Sequence, residues 1–367
     1  MGHRMIPFLD IPLVDDHVHP PFADPSGRLL ASFFTEAGDE ESVERHVPHS
    51  LFYRRALREL GLILQCEPDE ASVRAARNAH TPGEYLRLLT KDANIETLLV
   101  DEGYPPRGTL SLEEMAGFSG CQTRRIIRLE TLAESLFNTV DSPKALGAAI
   151  IEHLMRAPAF VALKTIVAYR SGLDVVEPPM AAAAAAFAQV QAHTDGQPPR
   201  LTAKALLDYL LLRALDWAAE RGVPVQFHTG YGDRDLDVRL ANPAHLRPIL
   251  EQPRYARLKI VLLHSSYPYC REASYLASVY PNVYVDWSEA NPMLPPRQLQ
   301  RVLEELLALA PYTKLLYGSD AWGAADWLWL GAKAGRTALA MALQDEPDRE
   351  TIAWRILHDN ARELYSL

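Results

Sequence analysis

VPVQFHTG at residues 223–230 follows directly on AKALLDYLLLRALDWAAERG at residues 203–222, and this pair sets the reading of the whole chain. The longer stretch has a helical pattern. The shorter is a continuous apolar run that stops at a histidine and a glycine, as a parallel strand buried on both faces does. Similar runs recur as IPLVDDH (11–17), ETLLVDEG (96–103), RIIRLE (125–130), FVALKTI (160–166), KIVLLHSS (259–266), NVYVDWSE (282–289) and KLLYGSD (314–320). Helical patterns such as PRQLQRVLEELLALAP (296–311) separate most of them. Eight strand-like runs with helical spacers predict the α/β class and a closed (β/α)8 TIM barrel, a single domain over residues 1–367. An open doubly wound sheet would carry a GxGxxG turn after its first strand, and none occurs.

Residues 24 to about 92 are too long for an ordinary βα loop and contain helical stretches such as HSLFYRRALRELGLIL (49–64). They read as a helical insertion after strand 1, placed where it could form a lid. The alanine run Ala181–Ala186 is a strong helix former, and TDGQPPR (194–200) a solvated turn. The amphipathic tail ETIAWRILHDNARELYSL (350–367) is expected to be the outer helix after strand 8. AWGAADWLWLGAK (321–333) suits core packing or a subunit interface equally, so a homo-oligomer stays open.

Composition narrows the partners. A formal charge of −10, from 37 basic and 47 acidic side chains, would repel phosphate backbones and anionic lipid headgroups, which disfavours nucleic acid and membrane surfaces and favours a small-molecule substrate. Cys66, Cys121 and Cys270 are widely spaced and odd in number, as in a reducing compartment, and no disulfide is expected. The N-terminal stretch MGHRMIPFLDIPLVDDH carries charges within its apolar residues, and no run is long enough for a membrane helix, so the expected location is the cytoplasm.

The chemistry gathers where strands end. Asp15-Asp16-His17-Val18-His19 closes the first strand, and residues i and i+2 of an extended chain face the same way, so both imidazoles can share one metal. An isolated HxH is weak. His228, His264 and Asp320, however, also stand where a strand passes into its loop, and in a parallel barrel all such ends open on one rim. Imidazole and carboxylate suit a divalent metal, Zn²⁺ foremost, with Mn²⁺ or Fe²⁺ as alternatives, and leave room for a water that can ionise near neutral pH. Asp320 could cap a turn, or it could bind metal and accept a proton. Asp15 reads as the carboxylate that orients a ligating imidazole. The remaining histidines (His3, His46, His49, His80, His153, His193, His245 and His358) lack strand-end placement. Rim candidates for substrate contact are Glu130, Arg170, Tyr231, Asp233, Arg271, Glu289 and Trp322. Arg170 and Arg271 could each grip a substrate carboxylate, or simply pair with a neighbouring acid.

DDHVHP, FHTG, LLHSSYP, YGSD and ILHDNARELY resemble the amidohydrolase superfamily, especially the branch that also holds metal-dependent decarboxylases. LKTIVAYRSGL (163–173), VQFHTGYGDRDLDVRLANP (225–243) and HSSYPYCREASYLASVYPNVYVDWS (264–288) look like the barrel half of nodulin/glutamine-synthetase-like fusion proteins. The resemblance implies His17, His19, His228 and Asp320 as metal ligands, with His264 a further ligand or a catalytic proton carrier. Lys164 lies where two-metal hydrolases of this superfamily carry a carboxylated, bridging lysine. Carboxylated, it implies two metals per chain and hydrolysis. As an ammonium it implies one metal and a hand for a substrate carboxylate, and it could also reach the surface from a strand edge. The expected activity is hydrolysis of an amide C–N bond, in particular a γ-glutamyl amide, with Asp320 and His264 catalytic. The alternative is non-oxidative decarboxylation of a small unsaturated or aromatic acid.

Overall fold

In a computed structural model that describes residues 6–104 and 107–367, eight parallel strands follow one another in sheet order β1 to β8. They are β1 (Leu13–Val18), β2 (Ile95–Asp101), β3 (Gln122–Arg128), β4 (Phe160–Thr165), β5 (Val225–Phe227), β6 (Ile260–Leu262), β7 (Val283–Asp286) and β8 (Leu315–Leu316). Asp16 N–H donates to Tyr317 O (3.0 Å), Asp320 N–H to His17 O (2.9 Å) and His19 N–H to Ala321 O (2.7 Å), which joins the end of β8 back to β1. That closure brings His17 and His19 beside Asp320.

Apart from β3 (QTRRIIR), which is only partly buried, the strands are largely apolar on both faces because both are covered. Val14, Leu99, Ile126, Ala162, Val261 and Leu316 fill the barrel interior, while Leu13, Leu98, Leu163, Val225 and Ile260 pack outward under the helices. Helix Lys204–Arg221 ends on Gly222 in the left-handed conformation (φ 67°), and β5 starts three residues later.

The tail departs from expectation. The outer helix after β8 is Asp326–Ala342, whereas Ala361, Leu364 and Tyr365 enter the interior cluster and plug the barrel's lower end. Asn360 Nδ2 donates to Leu315 O (2.8 Å) and Lys259 Nζ to Leu364 O (3.1 Å), both at strand starts. Trp327 and Trp329 are buried inside this chain, so the tryptophan-rich stretch is core packing.

Between β1 and β2 lie helices Glu40–Arg45, Leu51–Ile63, Glu70–Asn78 and Pro82–Asp92. The last begins in a Thr81/Glu84 capping box with proline in its first turn. The segment is fastened to helix Asp326–Ala342: Trp327 Nε1 donates to Phe33 O (2.6 Å) and Tyr85 Oη to Asp326 (2.7 Å). Among the described residues no helix is long and apolar enough to cross a membrane.

Candidate metal centre

Four imidazoles meet at the upper rim. The His17 and His19 ring centroids are 5.1 Å apart, His17 and His264 5.7 Å, and His228 and His264 4.4 Å. Each ring has one nitrogen engaged by a neighbour: His17 Nδ1 with Gln226 Oε1 (2.9 Å), His19 Nδ1 with Asp101 O (3.0 Å), His228 Nε2 with Tyr231 O (3.0 Å) and His264 Nδ1 with Ser288 Oγ (2.8 Å). Carbonyl oxygens accept only, so the first three nitrogens carry the proton and the opposite nitrogen of each ring keeps its lone pair.

Asp320 Oδ1 is buried without a hydrogen-bond partner and lies 3.3 Å from His17 Nε2 and 3.4 Å from His19 Nε2. Burial, and then the Lys164 ammonium, push His17 down to about 4, so its ring is neutral at pH 7. A carboxylate oxygen facing two nitrogen lone pairs is repulsive unless a cation sits among them. The donor set therefore fits a divalent metal held by neutral imidazole and carboxylate. Donor atoms of His17, His264 and Asp320 lie within 4.8 Å of one another, and so do those of His228, His264 and Glu289. Of the four expected ligands, His17 and Asp320 fall in the first of these clusters and His228 in the second, the two sharing His264, while His19 groups with His17 and Asp101.

Burial pushes His228 and His264 far below the ordinary imidazole value, so both are neutral. Lys164 is 1% exposed, with Nζ 3.3 Å from His17 Nε2, which places it inside the site and not at a surface edge. Burial lowers it to about 8 against the opposing pull of Asp101 and Asp320.

The backbone here is unusual. His264, Ser265, Ser266, Glu289 and Asp320 all have positive φ (50–65°), which side chains other than glycine adopt at a cost of about 1–2 kcal/mol each. Gly230 permits the close approach of the loops after β5 and β6, since a Cβ there would lie 2.4 Å from Tyr267 O. At Gly318 a Cβ would meet Asp286 Oδ2 at 2.5 Å.

The amidohydrolase family model matches residues 136–367. The chain belongs to the amidohydrolase superfamily. A protein of Lactobacillus casei described as a metal-dependent hydrolase is 32% identical, with 97% of this chain and 95% of that one covered and a TM-score of 0.87. A uronate isomerase of Thermotoga maritima shares the fold at 15% identity and a TM-score of 0.67, over 97% and 95% of the two chains. Protein fluG of Emericella nidulans is 30% identical over 397 residues, covering 97% of this chain and 46% of fluG. The chain thus spans about half the length of that curated relative, which agrees with a likeness to one half of a longer fusion protein. In general terms the matches support a metal-dependent hydrolase.

A pocket of about 390 Å³ opens over the amidohydrolase centre, lined among others by Lys164, Arg170, Asp233, Glu289 and Trp322. Glu130 is not at this wall. β3 ends at Arg128 and a helix starts at Leu129, so the strand alternation stops one residue too early, and Glu130 turns inward to accept from Thr165 Oγ1 (2.5 Å) and Ile166 N–H (3.0 Å). Arg128 and Glu134 face the pocket in its place. Arg271 points away from the rim on helix Cys270–Val279, 81% exposed and paired with Glu305 at 3.0 Å. Tyr231 contributes its carbonyl to His228, while its hydroxyl faces Met293 Sδ at 3.7 Å. Asp15 does not orient an imidazole: its Oδ1 accepts from Ser319 N–H (2.9 Å) and so positions the turn that carries Asp320. Gln226 does the orienting. A lone glutamine inside the apolar VPVQFH was the available signal. Glu36, Tyr104 and Arg200 also line the pocket and carried no signal in the sequence. His46, His49, His80, His153, His193, His245 and His358 line no part of it, and His3 lies outside the described residues.

Proposed function

We propose that the chain hydrolyses a C–N bond, an amide and within that class a γ-glutamyl amide. The observation that carries the reading is Asp320 Oδ1, unpartnered and set against His17 Nε2 and His19 Nε2 at the floor of a pocket. A divalent metal held there would polarise the scissile carbonyl and lower the pKa of an attacking water. Asp320, ionised and with Oδ1 shielded from solvent, accepts the proton of that water and returns it to the leaving nitrogen. His264 steadies charge developing on the carbonyl oxygen, its ring held in place because Ser288 Oγ can either give or take the hydrogen bond at Nδ1. Arg170 binds Glu134 at 3.2 Å through Nη2 but leaves buried Nε and Nη1 without partners, spare donors for a substrate carboxylate.

Asp320→Asn tests the reading on metal-loaded protein with γ-L-glutamyl-p-nitroanilide. The fold should persist by circular dichroism while kcat drops by about 10²-fold or more. A variant as active as the parent would refute the role of Asp320. Metal stoichiometry and the state of Lys164 separate the rival chemistry: about two ions and a carboxylated amine accompany hydrolysis, one ion and a bare ammonium accompany decarboxylation.

A further inference from the structure

Charge is unevenly matched across the pocket. Arg128 has Asp101 (2.6 Å), Arg170 has Glu134 (3.2 Å) and Arg200 has Asp235 (2.9 Å). Glu36, Asp233 and Glu289, all lining the same pocket, have no lysine or arginine at ion-pair distance among the described residues. They arrive from three separate elements: the β1–β2 insertion, the loop after β5 and the end of β7. Glu289 is 2% exposed and its Oε2 has no hydrogen-bond partner. Glu36 is half-buried and Asp233 exposed, but a buried acid such as Glu289, with only the neutral His264 ring near it (3.7 Å), is costly, and native structures normally pair such a group.

We propose that Glu36, Asp233 and Glu289 form the acceptor for an ammonium group on the substrate, in the same pocket as Arg170. The ligand end read by the pocket is then zwitterionic, as in an amino acid. The –NH₃⁺ group has three donors and three carboxylates line the pocket, together with Tyr104, Tyr169 and Trp322, whose rings can face a cation. A second divalent ion is the competing occupant. Only Glu289 of the three shares a 4.8 Å donor cluster with histidines, so the wall as a whole favours the amine. The inference rests on the amide reading for what is cleaved, and not for what is bound.

The test is calorimetric titration of metal-loaded protein with L-glutamate and with glutarate, which lacks only the amine. The parent should bind glutamate about tenfold more tightly or better, and the Glu36→Gln/Asp233→Asn variant should bring the two within about twofold, with metal content and melting profile unchanged. Equal affinities in the parent, or no binding of either acid, overturn the proposal. Loss of metal from the variant overturns it in favour of an ion. In parallel, γ-L-glutamyl-p-nitroanilide and glutaryl-p-nitroanilide are compared as substrates. Failure to cleave either, with glutamate still preferred in binding, removes the amide reading and leaves the ammonium wall standing.

Discussion

Gln226→Met tests whether one buried amide sets the metal-binding form of His17. Gln226 is fully buried; its Oε1 accepts from His17 Nδ1–H (2.9 Å), and its Nε2 donates to Asp16 O (2.7 Å) and Tyr365 Oη (2.8 Å). Methionine keeps the volume but offers no hydrogen bond of comparable strength. Tyr365 still donates to Asp16 Oδ2 (3.0 Å), so two groups are left seriously unsatisfied, the imidazole N–H and the Asp16 carbonyl. At about 1–3 kcal/mol for each, the metal-free protein should lose about 3 kcal/mol of stability. Released from Gln226, His17 can move its proton to Nε2, the nitrogen that faces Asp320 and Lys164, and loss of such an orienting partner typically lowers metal affinity by about 10–100-fold. Urea denaturation of the metal-free protein reads the first effect, and competition with a chromogenic chelator the second. Affinity within about threefold of the parent, in a variant destabilised as expected, would show that Gln226 supports the fold without fixing the tautomer of His17.

Three other outcomes follow from the same geometry. Ser265→Gly removes a positive-φ serine (56°) whose buried hydroxyl has no partner, so the melting temperature should rise, by the equivalent of about 1 kcal/mol after the entropy cost of glycine; an unchanged or lower value contradicts the strain argument. Arg271→Ala, at an exposed ion pair far from the pocket, should change stability by less than about 0.5 kcal/mol and leave kcat/KM unaltered, and a tenfold loss of activity would return Arg271 to the site. Protons and metal compete for His17 Nε2, and with a folded value of about 4 the neutral, ligating form persists well below the ordinary 6.5; metal release on acidification should therefore reach its midpoint below about pH 5.5, and a midpoint near 6.5 would mean an unperturbed imidazole.

The centre was legible because its side chains sit at strand ends, and strand ends announce themselves as apolar runs cut off by His17, His228, His264 or Asp320. Strand-end placement fails where the chain changes period within a residue or two. Glu130 and Arg271 both lie just inside a helix start, where rotation of about 100° per residue replaces alternation and redirects the side chain. The tail differs from its expected place for another reason. Its amphipathic pattern gives a face to bury but not the surface that buries it, and Ala361, Leu364 and Tyr365 found the bottom of the barrel. Glu36 could not have been found by any local pattern, because its approach to the pocket depends on how the β1–β2 insertion docks on helix Asp326–Ala342.

Local features were written in the chain: eight strand-like runs, the helices between them, and the side chains that stand at their ends, each set by spacing and apolar content over stretches of about ten residues. Which of those ends meet is a property of the folded barrel. His17 and Asp320 stand 3.3 Å apart because β8 closes on β1, the acids of the pocket wall converge from three elements, and Gln226 reaches His17 across the barrel. Those distances follow from the stagger and closure of the strands, which depend on packing summed over the whole chain and leave no trace in any one segment.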